Sequence, residues 1–69
     1  MRNNIFGKRL RQLRSAKKVG AGKMSEQLGL TRNYVYNIEK GIAYPSMTQF
    51  FSICEYFDME PKEFFDWEP

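Results

Sequence analysis

The chain contains no histidine and a single cysteine, Cys54, in 69 residues. A disulfide within the chain needs two thiols, and a structural zinc site needs several Cys or His ligands. Neither staple is to be expected, and no metal. Beside Ile53 and near Phe50 and Phe57, the lone thiol reads as a small apolar core residue, compatible with a reducing compartment. Long apolar runs are also missing: none approaches the roughly 18 residues of a membrane-spanning helix. The first residues, Met-Arg-Asn-Asn-Ile-Phe-Gly-Lys, lack the apolar centre of a secretion signal. Cytoplasm is the expected location, with no membrane contact. Catalysis has little to draw on without histidine or an evident carboxylate pair. Gly22-Lys23 could end a phosphate-binding loop, but that motif needs glycine at position 17 and Ser or Thr at 24. Those positions hold Lys17 and Met24. No cofactor is expected, and an enzyme is the remotest reading.

Negative charge is scarce in one half. Residues 1–40 carry ten basic residues against Glu26 and Glu39, a balance of +8, while residues 41–69 carry Lys62 against six acidic residues, a balance of −5. The halves add to the net +3. A basic half suits a polyanion such as double-stranded DNA, and the acidic half should face away from it. An ordinary solvated surface accounts for scattered charge better than for charge sorted this strongly.

The length allows one small domain, residues 1–69. A domain of this size hides only about 60% of its unfolded surface, so it needs a dense core or a partner chain. Helical spacing dominates and no strand pattern is present, so the fold class is all-α. Phe6, Leu10 and Leu13 form one stripe of a first helix, capped by Asn3 or Asn4 and running to about Lys18. Met24 and Leu28 share a face of a second helix opening at Gly20-Ala21-Gly22. Val35 and Ile38 share a face of a third, expected from about Arg32 to Lys40. Between them Gly29 can adopt the left-handed conformation that ends a helix, and Thr31 can cap the next. This helix, tight turn, helix unit is the geometry that places one helix in a DNA major groove. Ser46 and Gln49 form a capping-box pattern ahead of a fourth helix with Phe50, Ile53, Cys54 and Phe57 on one face. Pro61 suits the first position of a short fifth helix.

In order and spacing, Phe6 to Arg14, Met24 to Leu30, Thr31 to Gly41 and Tyr44-Pro45-Ser46 resemble the lambda-repressor-like, Cro-type (XRE) helix-turn-helix family over about residues 5–66. The resemblance implies a compact five-helix domain with the helix-turn-helix at its second and third helices. It implies that Arg32, Asn33, Tyr36 and Asn37 face base edges; Arg and Asn can bind guanine and adenine through paired bonds. It implies an Arg14–Glu39 ion pair tying the first helix to the third, a small residue, Ser25, where the two helices of the motif approach, and Leu30 in the core. Phosphate contacts are expected from the amides of Ala21 and Gly22, from Lys23, and from Lys40, Tyr34 and Tyr44. Tyr34 and Tyr44 have packing as an alternative. One departure stands out. The family usually opens its second helix with a Ser or Thr cap and a Gln that clamps a phosphate; here Gly20-Ala21 replaces them.

The C-terminal part is crowded with aromatic residues. Phe50, Phe51, Phe64, Phe65 and Trp67 exceed what so small a core accepts, which points to a homodimer seam built from the fourth helix and residues 61–69. Deleting residues 64–69 is then expected to lower both dimerisation and DNA affinity while leaving much of the helix content. The alternative is that the tail folds back to close the core. The leading functional reading is a sequence-specific transcriptional regulator, a repressor bound as a dimer to a pseudo-palindromic operator. The second is a protein-interaction module of the same fold that works through its acidic, aromatic C-terminal surface.

Overall fold

Cap chemistry sets where most of the helices begin. In a computed structural model that describes residues 4–68, the helices are α1 (Ile5–Lys17), α2 (Ala21–Gln27), α3 (Tyr34–Glu39), α4 (Met47–Tyr56) and α5 (Pro61–Phe65), with no strand among the described residues. Asn4 opens α1 by accepting from the Gly7 amide at 3.2 Å; Asn3 and Arg2 lie outside the described residues. Ser46 and Gln49 form the reciprocal capping box of α4, at 3.1 and 3.3 Å. Pro61 occupies the first turn of α5, and the Glu60 amide donates to Glu63 at 2.7 Å. Gly20 caps α2 with extended backbone and no side-chain bond.

The start of α3 corrects the sequence expectation. Residues 31–33 form a turn, closed by the Tyr34 amide on the Thr31 carbonyl at 3.0 Å, and helix begins only at Tyr34. Thr31 is not the cap; Asn33 holds that position without a side-chain bond. The first-turn amides of a helix need partners, and here the partner comes from another element. Ser25 on α2 accepts from the Val35 amide at 3.0 Å while donating to the Ala21 carbonyl at 2.9 Å.

Four helices end the same way. The amides after α1, α2, α3 and α4 fold back in paired bonds: Val19 to Arg14, Leu30 to Ser25, Ile42 to Asn37 and Met59 to Cys54, each with the inner bond of a Schellman motif. This needs one left-handed residue per ending. Gly29 and Gly41 supply it at φ 77° and 80°, but Lys18 and Asp58 do so at 59° and 55°. A side chain in that region costs about 1–2 kcal/mol. Lys18 is exposed and its side chain makes no hydrogen bond or ion pair among the described residues, so Lys18→Gly should stabilise the protein by about 1 kcal/mol and raise Tm by about 4–8 °C. Thermal unfolding followed by circular dichroism checks this; an unchanged or lower Tm would contradict it.

Leu10, Met24, Val35, Ile38, Ile53, Cys54 and Phe64 form the buried core, one or more from each helix. Leu30 is not among them. It lies half-buried outside the cluster, while Leu28 packs against the core from the end of α2. Burial, and secondarily the charge of Glu60, push the Cys54 thiol pKa up, which keeps it neutral. Phe64 also departs from expectation. Its exposure is 0%, with ring centroids 4.9 Å from Phe6 and 5.4 Å from Phe50. It plugs the core of its own chain, which leaves none of its surface for the expected seam in this structure. No helix among the described residues is long and apolar enough to cross a membrane.

Candidate nucleic-acid interface

A six-residue helix has little stability of its own, so α3 depends on the ties that hold it. Val35 and Ile38 are fully buried and anchor its inner face. Ser25 holds its first turn through the Val35 amide. Its last turn meets α1 at two points. Asn4 Nδ2 donates to the Glu39 carbonyl at 2.7 Å, and Arg14 grips the Glu39 carboxylate through Nε at 2.6 Å and Nη2 at 3.0 Å. Arg14 also donates to the Val19 carbonyl at 2.9 Å. The bond to Glu39 raises the pKa of this guanidinium despite its partial burial. Gly7 makes the crossing possible: a Cβ there would stand 2.8 Å from the Glu39 carbonyl oxygen. Glycine inside a helix costs on the order of 1 kcal/mol, and that cost was the available signal for this close approach.

Ser25 is the tie most easily tested. Ser25→Ala keeps the small size the crossing needs but leaves the buried Val35 amide unpaired, a loss of about 1–3 kcal/mol. Chemical denaturation should show that loss, together with faster amide exchange at Val35 than at Ile53. An unchanged midpoint would mean that another group satisfies the amide.

On the outer side, Arg32, Asn33 and Tyr36 are exposed and Asn37 is half-buried. Arg32 and Asn33 stand in the turn before α3 rather than within it. Arg32 Nη1 lies 3.5 Å from Glu26 Oε2. The Asn37 carbonyl accepts the Ile42 and Ala43 amides. Tyr36 projects beside Lys40, whose Nζ lies 5.2 Å from the ring centroid and 3.3 Å from the hydroxyl. Lys23 is exposed, and Ala21 and Gly22 are half-buried at the start of α2.

Two tyrosines serve the chain itself. Tyr34 donates its hydroxyl proton to Gln49 Oε1 at 2.8 Å, and burial raises its pKa. That bond occupies the hydroxyl proton that a phosphate contact would use. Tyr44 lines an apolar groove of about 360 Å³ with Phe6, Pro45, Met47, Phe50 and Phe65.

Arg9 is the largest surprise. By sequence it belongs to the basic surface of the first helix. In the structure it is buried, donating through Nε to the Phe64 carbonyl, through Nη2 to the Glu63 carbonyl at 2.8 Å and through Nη1 to Gln12 at 2.6 Å. Its guanidinium lies 5.7 Å from the Trp67 ring centroid. Arg9 therefore clamps α5 and is unavailable to a phosphate. Arg14 is similarly spent on Glu39. Lys8, Arg11, Lys17, Lys18, Lys23, Arg32 and Lys40 remain exposed for an anion.

A family model described as a helix-turn-helix domain matches residues 7–67. Among solved structures, the chain is similar to the restriction-modification controller protein C.AhdI from Aeromonas hydrophila. The two are 37% identical, with 87% of each chain covered and a TM-score of 0.78. No curated protein matches the sequence.

Proposed function

The chain belongs to the helix-turn-helix domain family, as an XRE-type DNA-binding regulator of transcription, and from that premise we propose that it represses as a homodimer on a pseudo-palindromic operator, in the cytoplasm and without enzymatic activity. The observation that carries this reading is a rigidly tied α3 whose outward edge is polar and uncommitted to the core. Arg32, Asn33, Tyr36 and Asn37 read base edges in the major groove. Lys23, Lys40 and the amides of Ala21 and Gly22 meet phosphates; the missing Gln clamp leaves that docking to backbone and lysine. The likeness to a restriction-modification controller supports a role at the promoter of a comparable gene set.

The dimer seam loses Phe64, which the core has taken, and Phe50, half-buried beneath the groove. Trp67 is half-buried against Arg9. Phe51 and Phe65 remain exposed at 50% and 54%. Met47 and Tyr44 extend the same apolar surface, which supports a seam along α4 and α5.

Titration of selected and random duplexes at two salt concentrations tests the proposal. Binding should weaken by at least about tenfold between 50 and 200 mM salt as counterions are released. Arg32→Ala should lose about 5–150-fold on the selected duplex and relax its base preference. Lys23→Ala should weaken both duplexes alike and flatten the salt slope by about one. Equal losses on both duplexes for Arg32→Ala would remove its base-reading role. Absence of binding at low salt would leave the interaction-module reading.

A further inference from the structure

Only two acidic residues occur in the first forty, Glu26 and Glu39. Glu39 is consumed by Arg14. Glu26 stands exposed on α2, beside the turn that carries Arg32, with Arg32 Nη1 3.5 Å away. A carboxylate on the surface that meets a polyanion opposes binding. An ion pair this exposed contributes little to stability. Neither affinity nor folding accounts for Glu26.

The position of the guanidinium offers a reason. Gly22 and Glu26 lie one helical turn apart on one face of α2. A Cβ at Gly22 would stand 3.7 Å from Arg32 Nη2 and 3.8 Å from Nε. The guanidinium thus lies over bare α2 backbone, with Nη1 toward Glu26. Its Nε–Nη2 edge has no hydrogen-bond partner among the described residues. That edge presents two parallel N–H groups, the fork that matches guanine O6 and N7. A longer side chain at position 22 would lie against it.

We infer that Glu26 is a specificity-determining positioning residue: it holds Arg32 by Nη1 so that the Nε–Nη2 edge is presented to a guanine, and it opposes the swing of the guanidinium to a phosphate. The inference rests on the base-reading role of Arg32 proposed above. Glu26 acts through Arg32 and lowers non-specific binding, so its contribution is to the ratio of affinities.

Glu26→Gln keeps the size and removes the charge. Selection from a randomised duplex library, with titration of poly(dI-dC) alongside, reads both consequences. The variant should bind poly(dI-dC) about threefold to tenfold more tightly, one negative charge having gone. Its preference for the base pair read by Arg32 should fall about twofold to fivefold, the reach of one exposed ion pair, with other positions unchanged. In an Arg32→Ala background Glu26→Gln should alter no base preference. A purely structural role would instead move the thermal midpoint and leave the base profile intact. If Arg32→Ala relaxes one position and Glu26→Gln leaves it unchanged, the inference about Glu26 is overturned while Arg32 keeps its role. If Arg32→Ala itself relaxes nothing, both are overturned.

Discussion

Phe64→Ala should cost about a third of the protein's stability or more, whereas Phe65→Ala should leave it almost unchanged. The two residues are neighbours in α5 and both sit in a cluster of aromatic rings. Phe64 is fully buried against Phe6 and Phe50, while Phe65 is 54% exposed at the mouth of the apolar groove. Removing a buried Phe side chain costs about 3–5 kcal/mol, including the cavity it leaves. A chain of this length has a total stability of only about 3–10 kcal/mol. The Phe64 loss is therefore a large share of the whole, and chemical denaturation followed by far-ultraviolet circular dichroism should show it directly. Phe65→Ala removes contacts at the rim and should cost less than about 1 kcal/mol in the monomer. Its effect belongs to association: sedimentation at micromolar concentration should show a shift toward monomer. A Phe64→Ala variant with an unchanged denaturation midpoint would contradict the plugged core. A Phe65→Ala variant that associates as tightly as the parent would move the seam elsewhere. Truncation after Glu63, expected from sequence to spare most helix, should instead abolish it, since the plug leaves with the tail.

The second large effect is expected from Arg9→Ala. The variant removes three hydrogen bonds and leaves the Phe64 carbonyl without its donor, while the Glu63 carbonyl keeps the Asp66 amide. One stranded acceptor costs about 1–3 kcal/mol, and the lost second bond and the buried stem of the side chain add to it. Arg9→Lys should recover less than half of this, because an ammonium cannot reproduce the planar fork that reaches two successive carbonyls and Gln12. The chain has one tryptophan, Trp67, stacked near the Arg9 guanidinium. Its emission should shift to the red in Arg9→Ala as residues 66–68 come away from α1 with Phe64 still seated, at denaturant concentrations where the helix signal persists. Coincident loss of fluorescence and helix signals would show instead that residues 66–68 leave α1 only when the whole domain unfolds. DNA affinity measured well below the midpoint should change little, since Arg9 faces inward; a loss there equal to that of Lys23→Ala would contradict its assignment to α5.

Much of the helical framework is legible from neighbouring residues. Asn4, the Ser46–Gln49 box and Pro61 act within one turn of their own positions, so three helix starts follow from short-range chemistry. Gly29 and Gly41 mark two endings for the same reason, and the spacing of Leu10, Met24, Val35, Ile38 and Ile53 identifies the inner faces. The family signature then orders these pieces into one fold. Where α3 starts is a different matter. Its first-turn amide is satisfied by Ser25, ten residues earlier and on another helix, so Thr31 never needs to cap and the helix begins two residues late. Lys18 and Asp58 take left-handed backbone that their side chains disfavour, because the Schellman bonds and packing of the ends outweigh the local cost.

Charge and aromatic content specify which residues are available but not how each is used. Ten cations in the first forty residues look alike in composition; crossing α1 with α3 and α5 turns Arg14 and Arg9 into internal clamps and leaves Lys8, Arg11, Lys17, Lys18, Lys23, Arg32 and Lys40 exposed. Phe64 and Phe65 differ by about 100° around one helix, and only the direction from which α1 and α4 approach decides which becomes the plug. The same holds for Glu26 and Arg32, six residues apart across a reversal at Gly29. Their pairing requires the two helices of the motif to be folded against each other. Local propensity acts over a few residues of chain, whereas burial and pairing depend on which surfaces meet, and that is settled only when the helices pack.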